Sequence, residues 1–332
     1  MKEILVIGGT GAQGLPVVKA ISSSKEFSAR VLTRNVNSSR AVELAKLPKV
    51  TLIEGNQDSQ KDLHRAFCGV YGAWVNTDGF TLGEKNELFY GCRAYEIARH
   101  EGVQHYVYAS ADFALKDANW NEDYHWGHND SKGRVAGYIL AQGQEGMRSS
   151  VITSGPYMDM LSDAMFLPQE QADGSFLWAN PAGHYSLWLF QNIAESAGMD
   201  LRVCTDEINF QDIATTFTKV TGKKGVHKRL DFDEYFCHAE PYPDAPANWA
   251  AGPNAPRDES SMTFRQNFTA WWKFWGHGMA RPRDLQVLDR IHPKRIKSLE
   301  EWMRIVQYDG KPKSILKGAE DLQRQAQSLA KC

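Results

Sequence analysis

Short apolar runs alternate with longer amphipathic segments along the first half of the chain. The first run, EILVIGG, precedes the segment GLPVVKAISSS, whose Pro16 falls in a predicted first helical turn, where a missing N–H costs little. Five further β-rich runs follow, separated by helical patterns: ARVLTR, VTLIEG, GAWVNT, HYVYASA and SSVITSG. Such alternation is typical of βαβ units with right-handed crossovers. It predicts an α/β fold, with a doubly wound parallel sheet of the Rossmann type over residues 1–160.

The pattern changes after Met160, where the chain becomes irregular and rich in aromatic residues, proline and glycine. We therefore expect a smaller, aromatic-rich second region over residues 161–332, on the substrate side of the sheet. The segment from Phe166 to Trp178 directly follows the last predicted strand, so it is the better candidate for an apolar pocket wall. The aromatic run Trp271, Trp272, Phe274 and Trp275 is predicted to be a packed helix rather than a ligand cage.

Composition and charge narrow the possible functions. A formal net charge of -2 gives no electrostatic reason to expect nucleic acid or a membrane surface as a partner. The five cysteines are scattered without a C-x-x-C pair, which is typical of a reducing compartment. No run is long enough for a signal peptide or a membrane span, so we expect a cytoplasmic protein. His125 and His128 form an H-x-x-H pair without an evident third ligand, so no metal site is predicted.

The glycine-rich stretch GGTGAQG lies between the first predicted strand and the first predicted helix. In that setting a helix N-terminus presents free N–H groups, and glycines let an anion approach the backbone. Gly8 would permit the tight turn, Gly11 the close approach and Gly14 the packing of helix on strand. The stretch therefore predicts a dinucleotide site.

Arg34 ends the second predicted strand, at the position where an acidic residue would hold a ribose 2′-hydroxyl. An arginine there can pair with a 2′-phosphate, which favours NADP(H) over NAD. The alternative is that Arg34 is an exposed surface charge.

These motifs, in this order, resemble the NmrA-like family, atypical members of the short-chain dehydrogenase/reductase superfamily. The resemblance runs from GGTGAQG through TRN, EGNQD, VNT, HYVYAS and HNDSKGRVAGYI to HPKRIKSLEEW, and so covers nearly the whole chain. It extends to fungal NmrA-like oxidoreductases, many of them linked to secondary metabolism, and to the animal NmrA-like NADPH sensor. The family implies a Rossmann fold that binds NADP(H).

The resemblance also implies individual cofactor contacts. Asn56 replaces an aspartate that is usual in the family, and Phe89 falls where some relatives carry a lysine, a contact that the nearby Lys85 could supply. The implied residues are Gly8, Gly9, Thr10, Gly11, Ala12, Gln13 and Gly14 at the pyrophosphate, Arg34, Asn35 and Ser38 at the adenosine phosphate, Asn56 and Gln57 near the adenine, Thr77, Asp78 and Gly79 beside the nicotinamide side, Lys132 at the ribose hydroxyls, and Tyr157, Met158, Asp159 and Met160 at the nicotinamide pocket.

Catalysis is the open question, because the Tyr-x-x-x-Lys motif of ordinary short-chain dehydrogenases is here His128-x-x-x-Lys132. His128 has a side chain whose ordinary pKa suits proton donation. Tyr157 or Tyr124 could donate instead. The third alternative is that His128 and Lys132 only bind the cofactor and support the fold. Ser110 falls where the family has its strand-five serine.

Together these features predict an NADPH-dependent oxidoreductase that reduces a carbonyl or imine of a bulky aromatic or polycyclic metabolite. In this hypothesis Lys132, His128 and Tyr157 form the catalytic set. Other hypotheses stay open: an enzyme that keeps NADPH bound for a cyclisation or isomerisation, a redox-sensing regulator with a protein partner, or a cofactor-binding protein without turnover.

Overall fold

The computed structural model describes residues 1–162, 182–258, 261–311 and 313. The predicted pocket segment from Phe166 to Trp178 lies outside these residues. The described strands are β1 (Lys2–Ile7), β2 (Phe27–Thr33), β3 (Val50–Glu54), β4 (Gly72–Val75), β5 (His105–Ser110), β6 (Arg148–Ser154) and β7 (Asp200–Val203).

All seven strands join one parallel sheet in the order β3-β2-β1-β4-β5-β6-β7. The order reverses direction between β1 and β4, which is the switch point of a doubly wound fold. The predicted α/β Rossmann class is therefore confirmed. The apolar runs of β1, β4 and β5 are buried on both faces, as expected for central parallel strands covered by helices.

Helices occupy the crossovers and most of the second half. Asn209 is a helix N-cap, and its side chain accepts a hydrogen bond from the Asp212 N–H in the first turn of the helix Phe210–Thr221. The helices are α1 (Gly14–Ser23), α2 (Ser39–Ala45), α3 (Gln60–Phe67), α4 (Gly79–His100), α5 (Ala114–Asp117), α6 (Gly127–Ala141), α7 (Ala182–Gln191), α8 (Ile193–Ser196), α9 (Phe210–Thr221), α10 (Phe232–Ala239), α11 (Phe264–Gly276), α12 (Leu285–Ile291) and α13 (Leu299–Ile305).

The chain divides into two compact units that interleave in sequence. The first contains Met1–Ser154, Ala182–Val203 and Asp244–Asp284, and the second contains Gly155–Pro181, Cys204–Pro243 and Leu285–Cys332. A single boundary after residue 160 does not describe this grouping, since β7 completes the sheet and α11 belongs to the same unit as the sheet. Whether the later residues contact a substrate stays a prediction.

Each unit has its own apolar core. In the first, Trp271 and Phe274 of α11 are buried and pack against Trp126, as predicted for a packed aromatic helix. In the second, Leu161 packs with Trp302 and neighbouring residues of α13. Within the described ranges, no helix is long and apolar enough to cross a bilayer.

Candidate functional site

The glycine loop connects β1 to α1 at the switch point of the sheet. Gly8 has a φ of 83°, and a Cβ there would lie 2.7 Å from the Asn76 carbonyl oxygen. A Cβ at Gly14 would lie 2.2 Å from the Gly8 carbonyl oxygen. At Gly11 the nearest atom is the Gly8 carbonyl oxygen at 3.2 Å, with no other neighbour within contact distance. Gly8 and Gly14 are thus required by packing, while the side of the loop at Gly11 stays open.

The first turn of α1 retains free hydrogen-bond donors. Gln13 occupies the N-cap position but provides no side-chain cap, because its amide is held between Ser154 Oγ at 3.3 Å and Asn76 Nδ2 at 3.1 Å. The backbone N–H groups of Ala12, Gln13 and Gly14 have no acceptor within the described part of the chain. Unpaired N–H donors at a helix N-terminus, beside an open glycine, suit an anion such as a pyrophosphate.

Two arginines follow β2, and one of them contacts the glycine loop. Arg34 is exposed, and it makes no hydrogen bond or ion pair with any residue that the structure describes. Arg40, in the first turn of α2, donates from Nη1 to the Thr10 carbonyl oxygen of the glycine loop at 3.2 Å. Ser38 is the N-cap of α2, where its oxygen accepts from the Ala41 N–H, and its own hydroxyl proton is free to donate elsewhere. The predicted adenosine phosphate position therefore has positively charged guanidinium groups and a hydroxyl donor near it in sequence.

The loop after β3 is held to the first turn of α3 by a hydrogen bond from its backbone. The Asn56 N–H donates to Asp62 Oδ2 at 3.1 Å, and this hydrogen bond is the main reason why the pKa of the Asp62 carboxyl is lowered. The Asn56 side chain is exposed and Gln57 is half-buried, and neither has a partner within the described residues. Both side chains remain available to a ligand, as the family resemblance implies.

A buried ion pair that the sequence analysis did not predict lies beside the loop after β4. Glu87 of α4 is fully buried and lies 3.0 Å from the Lys132 ammonium of α6. Its carboxylate also accepts from the Thr77 hydroxyl at 2.7 Å and from the Ser131 hydroxyl at 2.5 Å. A Cβ at Gly79 would lie 2.4 Å from Glu87 Oε2, so glycine is required there by the carboxylate.

The N–H donors of the Lys132 ammonium bond to acceptors within the protein. Besides Glu87, its Nζ donates to Asn76 Oδ1 at 2.9 Å and to the Thr77 carbonyl oxygen at 2.7 Å. An ammonium has three N–H donors, and three strong acceptors surround this one. Lys132 can therefore contact a ribose hydroxyl only by exchanging one of these bonds. In the structure as it stands, it clamps the carboxyl end of β4 against α4 and α6.

His128 lies one turn before Lys132, on the same helix. Its ring packs between Phe80, at a centroid distance of 4.3 Å, and Trp126, at 4.9 Å. Burial lowers the pKa of His128 to about 3, and the positive charge of Lys132 acts in the same direction. His128 is therefore neutral near pH 7. This argues against the predicted role of His128 as the donor of an imidazolium proton.

Four further residues that the sequence analysis singled out have partners of their own, namely Tyr124, Ser110, Asp78 and Lys85. Tyr124 Oη lies 3.0 Å from His277 Nδ1, and the Ser110 hydroxyl donates to the backbone carbonyls of Ala111 and Lys132. Asp78 is exposed at the N-cap position of α4, where it accepts from the Thr81 hydroxyl. Exposed Lys85, the substitute suggested for the absent lysine at position 89, instead pairs with Asp258 at 3.1 Å.

The residues predicted for the nicotinamide pocket, 157–160, belong to the second unit. Met158–Ser162 forms a 3-10 turn, in which Asp159 is buried and hydrogen-bonded to Trp302. Burial raises the pKa of Asp159 to about 6. Asp159 thus anchors this turn within its own unit, and the roles of Tyr157, Met158 and Met160 stay predictions.

Three residues of the site were missed from the sequence. Glu87 shares the buried face of α4 with Gly91, Ala94 and Ala98, and a carboxylate on such a face signals a buried partner. Arg40 lies six residues after Arg34, in the first turn of α2. Asn267 of α11, hydrogen-bonded to His128, is separated from it by 139 positions, and no local pattern could have linked them.

The sheet order and glycine loop define a Rossmann-type α/β protein. The NmrA-like family profile matches residues 1–244, and the chain belongs to this family. The NmrA-like family domain-containing oxidoreductase malD of Malbranchea aurantiaca is 27% identical over 262 residues, which are 68% of this chain and 75% of that relative.

Solved structures share the fold at low sequence identity. NmrA, a negative transcriptional regulator solved in complex with NAD, superposes with a TM-score of 0.68 at 18% identity, over 91% of this chain and 94% of that one. The triphenylmethane reductase of a Citrobacter species, solved with NADP(H), gives a TM-score of 0.63 at 18% identity, over 91% of this chain and 99% of that one. Both comparisons confirm the fold.

Proposed function

We propose that this protein is an NADPH-dependent oxidoreductase that reduces a carbonyl or imine of a bulky, aromatic or polycyclic metabolite. The observation that carries the cofactor part is the uncapped start of α1, where three backbone N–H groups next to Gly11 have no acceptor within the described residues. An anion stabilises such a helix end, and the first turn of α1 contains no acidic residue.

The choice of NADP(H) over NAD rests on Arg34 and Arg40. No carboxylate ends β2, and a guanidinium pairs with a phosphate through two parallel N–H bonds. NmrA has been solved with NAD and also with NADP, whereas the triphenylmethane reductase was solved with NADP(H), so the relatives support a dinucleotide in general. The preference for the 2′-phosphate is our inference from the two arginines.

Relatives named as oxidoreductases, such as malD, support a redox reaction in general. When bound, NADPH would be the source of the hydride for the substrate carbon. Lys132 and Glu87 hold the β4 loop that carries Thr77 and Asp78, the residues that would line the nicotinamide side. His128, neutral near pH 7, offers a hydrogen bond rather than a proton. Tyr157 is then the proposed proton donor.

The proposal is tested by turnover with NADPH. Purified protein is incubated with NADPH and a panel of aryl ketones, quinones and cyclic imines, and loss of reduced nicotinamide is followed by absorbance. Tyr157→Phe should lower kcat by about 100-fold or more while leaving NADPH binding unchanged, because it removes one proton donor. Absence of NADPH oxidation across the panel, by protein shown to bind NADPH, would contradict the enzyme proposal.

A redox-sensing regulator is the second candidate. Two observations favour it: the internal engagement of all Lys132 donors, and the structural likeness to a transcriptional regulator. A sensor must bind its protein partner with different affinity in the NADP⁺ and NADPH forms, since equal affinity shifts no population. Pull-down of partners by protein saturated with either form distinguishes the two candidates.

A further inference from the structure

Asn267 of α11 bonds to two neighbouring residues at the start of α6, the Gly127 backbone and the His128 ring. Its side chain is fully buried. One end, Oδ1, accepts from the Gly127 N–H at 2.9 Å, in the first turn of α6. The other end, Nδ2, lies 3.1 Å from His128 Nδ1.

The orientation of this amide is fixed by Gly127. If the amide were flipped, Nδ2 would face the buried Gly127 N–H, and two donors would meet without an acceptor. A buried donor without a partner costs about 1–3 kcal/mol. The oxygen of Asn267 therefore faces Gly127, and the amide nitrogen necessarily faces His128.

A donor facing Nδ1 decides where the imidazole proton lies. Nδ1 must present its lone pair to the Asn267 N–H, so the proton of a neutral ring sits on Nε2. Protonation of Nδ1 would set two N–H groups against each other. Burial is the largest effect on the pKa of His128 and disfavours the imidazolium, Lys132 disfavours it as well, and Glu84 favours it. An Asn267 oxygen turned toward the ring would also favour the imidazolium, but the Gly127 N–H takes that oxygen.

We propose that Asn267 is a positioning residue that holds His128 as the neutral Nε2–H tautomer, and that Nε2–H binds an acceptor oxygen of an aromatic substrate. The second part rests on the proposed function. Phe80, Trp126 and Phe268 surround the ring at centroid distances of 4.3, 4.9 and 5.9 Å. Nε2 itself has no partner within the described residues. A single donor set among aromatic faces suits an aryl ketone.

The tautomer is measured without any ligand. Protein labelled with ¹⁵N-histidine is examined near pH 7 by long-range ¹H–¹⁵N correlation spectra, which separate protonated from unprotonated ring nitrogens. The chain has 10 histidines, and His128→Gln identifies the His128 signals by their loss. We expect an unprotonated Nδ1 and a protonated Nε2. An Nδ1–H tautomer or an imidazolium in the wild type would overturn the proposal.

The role of Asn267 is tested by Asn267→Asp, whose carboxylate can only accept. Its oxygens keep the Gly127 bond and draw the proton of His128 onto Nδ1, while the other histidine signals stay unchanged. Should this variant fail to fold, Asn267→Ala provides the second test, and its His128 signals should average between the two tautomers. Signals of the wild-type pattern in the folded variant would refute the role of Asn267.

Activity separates this inference from the proposed function. On an aryl ketone that the wild type reduces, Asn267→Asp should lower kcat by about 100-fold while KM for NADPH stays unchanged, since the donor toward the substrate is lost. An unchanged kcat would overturn the substrate part. If no ketone is reduced, the proposed function fails, and the tautomer measurement still decides the role of Asn267.

Discussion

The most direct structural prediction concerns the ion pair of Glu87 and Lys132, and Glu87→Gln is the perturbation that tests it. The substitution keeps the shape of the side chain and removes its charge. Glu87 is fully buried and the Lys132 side chain is 14% exposed, so the remaining ammonium would be left in a poorly solvated place. Breaking a buried pair by removing one partner costs about 3–5 kcal/mol.

The lower end of this range applies here. Lys132 keeps two neutral acceptors, Asn76 Oδ1 and the Thr77 carbonyl oxygen, and the Thr77 and Ser131 hydroxyls can turn to suit a glutamine. We therefore expect Glu87→Gln to lower the free energy of unfolding by about 3 kcal/mol. The assay is urea denaturation at pH 7, with the midpoint and slope fitted together.

A double-mutant cycle separates the charge from packing. Because Lys132→Met removes the stranded ammonium, the double variant should lose at least about 1.5 kcal/mol less than the sum of the single losses. Glu43→Gln, which breaks the exposed pair with Lys46, is the matched control and should be indistinguishable from the wild type. A Glu87→Gln variant as stable as this control, or strictly additive single losses, would refute the reasoning.

The remaining predictions concern the glycine loop and a buried histidine. Gly14→Ala places a Cβ 2.2 Å from the Gly8 carbonyl oxygen and should abolish NADPH binding, as measured by calorimetry. Gly11→Ala, whose Cβ has its nearest contact at 3.2 Å, should fold normally and only weaken NADPH binding. Equal NADPH affinity of the two variants would contradict this prediction. Burial lowers the pKa of His105 to about 4, so the unfolded state binds a proton that the native state does not between pH 6.5 and 4. Between pH 6.5 and 4 the free energy of unfolding of the wild type should therefore fall on acidification by up to about 1.4 kcal/mol per pH unit more than that of His105→Gln. Parallel plots of unfolding free energy against pH for the two proteins would contradict this prediction.

The fold was largely predictable, because parallel strands buried on both faces appear as apolar runs between helical patterns. Six of the seven strands were predicted in this way. The missed strand, β7, has four residues, and only Leu201 and Val203 of these are buried. It belongs to the sheet through its pairing with β6, which periodicity over four residues cannot indicate.

The site was predictable only where its residues are close in sequence. The glycine loop and Arg34 are set by local geometry, the turn after β1 and the end of β2. The environment of His128 depends on Asn267 and on burial among aromatic rings, so its pKa could not be anticipated from its ordinary value. Likewise, Lys132 was predicted as a cofactor ligand, but its partner Glu87 becomes visible only when α4 packs on α6.

The central claim, an NADP(H) site built from the glycine loop and Arg34, is tested most directly by calorimetric titration of the wild type and Arg34→Ala with NADPH and NADH. The account predicts that the wild type binds NADPH at least about tenfold more tightly, a difference of about 1.4 kcal/mol. Arg34→Ala should remove most of this preference while leaving NADH affinity unchanged. Equal affinity of the wild type for the two cofactors, or no binding of either, would contradict the claim.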